Sequence, residues 1–334
     1  MGWTMKQLLL ITTGGTIASL PGEHGLAPKL DSSEIENYLL QEHLHCAITN
    51  IPLFTIDSTN MQPEHWVQIA QTVANHYNEF DGFLITHGTD TMAYTAAALS
   101  YFLQNIAKPV VLTGSQVPFN YKKTDAKTNL HDAAHVALED IGGVFVVFNG
   151  KVIAGTRAMK IRTKSFDAFE SVNFPYVAFV QDKRVEYQIE RPGARDLSLQ
   201  LDTSLCTDVF LLKLYPGMKP EIFDLLPAMY RGVVIESFGN GGIPSLLRDL
   251  LPKIESLVAS GMAVVVTTQC LQEGEDLSLY EVGRRVAEIP YIIISKDMNT
   301  EAIIPKLMWA LGRTHDLQDI KVIMESPLAF DCSF

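Results

Sequence analysis

Leu8-Leu9-Leu10-Ile11-Thr12-Thr13-Gly14-Gly15-Thr16-Ile17 is an apolar run that stops at a turn of hydroxyl and glycine residues and then resumes. Four apolar residues in a row suit a strand buried on both faces, as in a parallel sheet. The arrangement recurs three times in the first half: residues 83–85 before THGTDT, 110–112 before TGSQ, and 144–148 before NGK. Between these runs lie helical spacings. Trp66, Ile69, Ala70, Val73 and Tyr77 follow Pro63, and Ala93, Ala96, Ala97 and Tyr101 follow Asp90, a candidate N-cap. Strand alternating with helix predicts a doubly wound α/β domain built on a mostly parallel sheet.

The second half repeats the alternation with apolar runs at 209–214, 233–237, 263–268 and 291–295, and with the helical set Ile303, Leu307, Met308 and Leu311. It predicts a smaller C-terminal α/β domain, also with a parallel sheet. Between about 190 and 207 the apolar period fades, and Pro192, Gly193 and several charges appear. The expected layout is an N-terminal catalytic α/β domain at 1–189, a linker at 190–207 and a C-terminal α/β domain at 208–334. A length of 334 residues suits two domains.

Apolar residues make up 47% of the chain and charged residues 19%, a balance that can bury a large core. The net charge of −12, with no local cluster of Lys or Arg, argues against a nucleic-acid or anionic-membrane partner. Cys46, Cys206, Cys270 and Cys332 lack metal-type spacing and read as reduced, structural thiols, so neither a metal nor another cofactor is expected. Near the N-terminus no apolar segment of about 7–15 residues precedes a small-residue cleavage site, and no run approaches the roughly 20 residues of a membrane span. A cytoplasmic location is expected.

Ligands of open α/β sheets sit at the carboxyl ends of the strands, and those ends here carry hydroxyls, glycines and one acid. That composition suits acyl transfer. Gly14 and Gly15 permit a tight turn and close backbone approach, leaving Thr16 to present a hydroxyl as nucleophile. A Gly-Gly turn after a strand is, taken alone, more often a plain connector. No GxxxxGK[ST] or GxGxxG pattern follows the strand, so a phosphate site is not indicated. In the second loop Gly88, Thr89 and Asp90 set a hydroxyl beside a carboxylate at the start of a helix, where Asp90 could equally be an N-cap and His87 a histidine satisfied by backbone. A threonine nucleophile needs a base, and a lysine kept neutral by burial could serve through a second hydroxyl. Lys160, in GTRAMK just beyond the 144–148 run, is the candidate, although such a lysine also reads as a solvated surface residue.

Taken together, TTGGTIAS at 12–19, DSTNM at 57–61, THGTDTMAYT at 86–95, LTGSQVP at 112–118 and GTRAMK at 155–160 resemble the bacterial-type L-asparaginases in order and spacing. The likeness continues through FDAFESVNFP at 166–175, LLKLYPG at 211–217 and NTEAIIPKLMWALG at 299–312, and is nearest to the cytoplasmic type I branch. The resemblance implies hydrolysis of L-asparagine with modest glutaminase activity. Thr16 attacks the carboxamide, ammonia leaves, and water hydrolyses the aspartyl ester. Thr89 and Lys160 move protons, and Asp90 binds the substrate α-amino group. Ser58 and Thr59 hold the α-carboxylate, with Gly15 and Gly88 beside them, and the Thr89 backbone and the Ser115 region stabilise the oxyanion.

Two positions depart from the family pattern. Where many members carry a tyrosine on a mobile lid, this chain has Gly25-Leu26-Ala27-Pro28. The resemblance implies that Tyr280, in GEDLSLYEVG, replaces it from a neighbouring subunit. Gly242, in FGNGG, stands where members often have asparagine, with Asn240 nearby. A homodimer or homotetramer is implied. Two other functions remain open: the asparaginase-like subunit of a tRNA-dependent amidotransferase, whose relatives carry an extra N-terminal domain, and a non-enzymatic amino-acid-binding α/β protein.

Overall fold

A computed structural model describes residues 5–23, 25–190 and 198–333. The chain forms two compact units. One comprises Met1–Ser171 and Pro175–Asp202, the other Val172–Phe174 and Thr203–Phe334. Of the expected linker, 191–197 lie outside the described residues, and Gln200–Leu201 beyond them pairs with Leu103–Gln104 of the first unit.

The first unit is built on an eight-stranded sheet, and all four apolar runs of the first half lie in it side by side. Lys6–Gly14, Gly82–Thr86, Pro109–Thr113 and Gly143–Phe148 are adjacent and parallel. Leu8, Leu9, Leu10 and Ile11 are fully buried, as a strand covered on both faces requires. The helices Pro63–Asn75, Met92–Phe102 and Ala126–Ala137 connect or cover these strands.

Two edges of the sheet were not evident from sequence. Cys46–Ile56 pairs in parallel with Lys6–Gly14 at one edge. Its central Pro52 cannot donate to a ladder, which is tolerable because the strand has a neighbour on one side only. At the other edge the sheet turns antiparallel through Lys151–Ala154, Ala178–Gln181 and Arg184–Tyr187. The change of direction comes from Asn149 at φ 50° and Gly150 at φ 73°, the positive pair of a two-residue hairpin turn. The loop expected after 144–148 is therefore a hairpin.

The second unit has a four-stranded, wholly parallel sheet in the order Val209–Lys213, Gly232–Ser237, Ala263–Thr268 and Ile293–Ile294. Its core gathers Phe223, Val233, Ile235, Ile254, Val264 and Val266. Helix Thr300–Arg313 carries Ile303, Leu307 and Leu311 inward, and Asn299 caps it by accepting from Ala302 N–H. Among the described residues no helix is long and apolar enough to cross a membrane, and the four cysteines are unpaired.

Candidate active site

The loops at the carboxyl ends of the parallel strands of the first unit converge. Gly15 N–H donates to the Ile56 carbonyl at 2.8 Å, tying the first turn to the end of the edge strand. Gly15 has φ +79° and ψ −175°, a conformation open mainly to glycine. A β-carbon there would lie 2.3 Å from Gly88 N and 2.4 Å from Gly88 Cα, so the first and second loops touch backbone to backbone. Gly88 in turn lies against Ser58, where a β-carbon would meet Oγ at 2.5 Å. Thr91 Oγ1 donates to the Ser58 carbonyl at 2.8 Å, and Phe119 N–H donates to the Ile17 carbonyl at 3.1 Å. Loops from four strands are thus pinned together around Gly15 and Gly88.

Thr16 begins a short 3-10 turn, Thr16–Ala18, directly after this contact and is half-buried. Its hydroxyl has no hydrogen-bond partner among the described residues. Ser58 is buried, and Thr59 is exposed with its hydroxyl donating to Asp57 Oδ1 at 2.8 Å.

Lys160 ends the short strand Ala158–Lys160, held in register by Phe169–Ser171. Its Nζ donates to Thr89 Oγ1 at 2.7 Å and to Asp90 Oδ1 at 2.6 Å. The lysine side chain is 16% exposed and that of Asp90 55%, so the amine lies under a surface carboxylate. The surface-lysine reading fails, and so does the N-cap reading of Asp90. The cap position of helix Met92–Phe102 is Thr91, and the Asp90 carboxylate is on Lys160 instead.

For His87 the plain reading holds. The ring is fully buried, with Nδ1 2.7 Å from the Gly88 carbonyl and Nε2 2.9 Å from Thr95 Oγ1. Burial holds its pKa down to about 4, so it is neutral, and it supports the Gly88 turn from below.

Ser115 is fully buried, with its hydroxyl donating to the Val117 carbonyl at 2.6 Å. The neighbour that reaches the cluster is Gln116, a residue not among the sequence-predicted site residues. Its Oε1 accepts from the Thr89 hydroxyl at 3.3 Å, and its amide donates to the Ser165 carbonyl at 3.2 Å. Asp125 accepts from Gln116 N–H and Val117 N–H and so fixes this loop, while burial raises its carboxyl pKa. The position next to Ser115 in TGSQ was the available signal.

Leu26 is half exposed on the hairpin of Ser19–Gly22 and Gly25–Pro28. Tyr280 belongs to the second unit, at the N-cap of helix Glu281–Ala287, and is 64% exposed. Gly242 pairs with Phe238 in an isolated bridge.

The arrangement offers an unpartnered hydroxyl on the residue after Gly15 and a lysine–hydroxyl–carboxylate chain on the loop that Gly15 packs against, the components of general-base-assisted acyl transfer. Residues 7–192 match the family model described as "Asparaginase, N-terminal", and residues 208–324 match "Glutaminase/Asparaginase C-terminal domain". The chain is 40% identical over 324 residues to an L-asparaginase of Thermococcus kodakarensis, covering 97% of this chain and 98% of the relative. The solved thermostable L-asparaginase from that organism superposes with a TM-score of 0.93 at 39% identity, covering 98% and 99% of the two chains. The chain is also 38% identical over 333 residues to a subunit of the glutamyl-tRNA(Gln) amidotransferase of Pyrococcus furiosus, covering 96% of this chain and 75% of that one.

Proposed function

The chain belongs to the asparaginase family, and on that premise we propose that it is an L-asparaginase, hydrolysing L-asparagine to L-aspartate and ammonia through a threonine nucleophile. The observation that carries this reading is Lys160 Nζ within 2.7 Å of Thr89 Oγ1 and 2.6 Å of Asp90 Oδ1, on a loop packed against Gly15.

Thr16 Oγ attacks the side-chain carbonyl, and its proton passes by way of the Thr89–Lys160 pair toward the leaving ammonia. The Thr89 backbone and the Ser115 region receive the oxyanion, and water then cleaves the β-aspartyl ester. Asp90, exposed at the mouth, receives the α-amino group. Ser58 and Thr59 receive the α-carboxylate. L-Glutamine is a weaker substrate, because one methylene shifts binding by only about 1–3 kcal/mol unless geometry amplifies it.

Tyr280 acts on a neighbouring copy within a cytoplasmic homodimer or homotetramer. Its exposed phenol and the leucine at position 26 support that assignment. A subunit of a tRNA-dependent amidotransferase is the second reading, supported by 38% identity, although a quarter of that relative has no counterpart in this chain. Ammonia release from L-asparagine by purified protein, without tRNA and with L-glutamine in parallel, tests both. Activity abolished by Thr16→Ala is expected. Asparagine binding without ammonia release would leave an amino-acid-binding protein.

A further inference from the structure

Gln116 has no role in the reaction above, yet its side chain reaches Thr89 from the loop after Pro109–Thr113. Its Nε2 carries two hydrogens, and two backbone carbonyls take them, Arg162 at 3.3 Å and Ser165 at 3.2 Å. Carbonyl oxygens only accept, so the amide cannot turn over, and Oε1 must face Thr89 Oγ1, 3.3 Å away. The main chain is fixed as well. Gln116 N–H donates to Asp125 Oδ2 at 2.9 Å, and Asn129 Nδ2 donates both to that carboxylate and to the Gly114 carbonyl.

These bonds decide where the Thr89 hydrogen points. A hydroxyl has one hydrogen and two lone pairs, and an ammonium group only donates. Lys160 Nζ donates to Thr89 Oγ1 at 2.7 Å, so one lone pair is taken and the hydrogen must go elsewhere. Among the described residues its acceptor is Gln116 Oε1. The second lone pair is then left to accept a proton. Without Gln116 the hydrogen would turn toward the next acceptor in the site, the nucleophile or the substrate carbonyl, and Thr89 would donate where it has to accept.

We propose that Gln116 is a positioning residue for proton transfer, holding the Thr89 hydroxyl hydrogen so that Oγ1 meets the nucleophile as an acceptor. The inference rests on the L-asparaginase reading above. One proton enters Thr89 Oγ1 from Thr16, one passes from Thr89 to Lys160 Nζ, and one leaves Nζ for the departing nitrogen; Gln116 neither gains nor loses one. The charged groups around it are Asp90 on Lys160, Asp125 on its own N–H, and Arg162, whose guanidinium is turned to Asp167 and Glu170.

Steady-state ammonia release by Gln116→Met and Gln116→Glu tests the assignment, with wild type and Thr16→Ala measured first. A wild type without activity overturns the L-asparaginase reading itself, and this inference with it. With wild type active, Gln116→Met should lower kcat by about 10-fold, the effect of one hydrogen bond lost from the transition state, and leave KM for L-asparagine within about 2-fold. Gln116→Glu is ionised at neutral pH and sets a carboxylate against the Arg162 and Ser165 carbonyls. Once protonated, that carboxyl can again donate to a carbonyl and accept from Thr89. Its kcat relative to wild type should therefore rise as pH falls from about 8 toward 5, with KM unmoved. A Gln116→Met enzyme as fast as wild type, or one whose slower turnover is matched by an equal rise in KM, would overturn the proposal and leave Gln116 as a tie between two loops. Should Gln116→Met not fold, Gln116→Glu decides alone, and a flat ratio across that pH range overturns it.

Discussion

Replacing Gly15 with alanine tests whether the site depends on the contact between its first two loops. The added β-carbon would lie 2.3 Å from Gly88 N, against the 3.4 Å at which ordinary contact begins. Both neighbours are backbone, so relief requires the loops to separate by roughly 1 Å rather than a side chain to swing away. The positive φ adds strain of about 1–3 kcal/mol, and overpacking adds about 1–3 kcal/mol more. A shift of about 1 Å between nucleophile and proton-transfer chain costs on the order of 10²-fold in rate. Gly261→Ala is the matched control. Its φ is +86°, but nothing lies within 4 Å of the added carbon, so only backbone strain applies. Thermal unfolding and steady-state ammonia release on both variants separate the two effects. Gly15→Ala should be folded, less stable and at least about 100-fold slower, whereas Gly261→Ala should lose about 1–2 kcal/mol with turnover close to wild type. A Gly15→Ala enzyme no slower than the control would refute the claim that this close approach sets the catalytic geometry.

Further outcomes follow from other contacts. Lys160→Met should lower kcat by about 10²–10⁴-fold with a smaller effect on KM, since it removes proton transfer; a rate close to wild type would sink that role. Tyr280→Phe should slow turnover if the phenol serves a neighbouring site, and an unchanged rate counts against it. His87 titrates near 4 when folded and near 6.5 when unfolded, so across that window the unfolded chain binds the extra proton. Stability therefore falls by about 3 kcal/mol as pH drops from 6.5 to 4, and His87→Gln should flatten that arm of a pH-dependent unfolding series. Glu275 behaves oppositely. Burial pushes it up to about 8 from 4.5, so the folded chain keeps a proton that the unfolded chain releases, and stability falls as pH rises through that range. Glu275→Gln should raise Tm relative to wild type at pH 8.5 and not at pH 4.5.

Much of the fold was legible because burial on both faces of a sheet leaves a mark on every residue of a strand. The runs at 8–11, 83–85, 110–112 and 144–148 have no polar interruption, and all lie in the parallel centre of the first sheet. Cys46–Ile56 carries a weaker mark, since one edge is free and its residues are partly exposed. Asn149-Gly150 is a hairpin signal in the sequence itself, since both residues tolerate the positive φ that such a turn requires.

The sequence by itself determined which residues stand at strand ends, because hydrophobic period and turn chemistry are local properties. It supplied Thr16, Ser58, Thr89 and Asp90 as polar residues on such loops, but left Asp90 equally readable as a cap and Lys160 as a surface residue. Only the tertiary structure decided those two. The lysine and Thr89 are 71 residues apart, and their 2.7 Å contact exists because the antiparallel edge of the sheet leads the chain to Ala158–Lys160, beside the loop after Gly82–Thr86. The role of Gln116 and the approach of Gly15 to Gly88 have the same origin. They are distances between loops set by strand order, and strand order is a property of how the whole sheet packs.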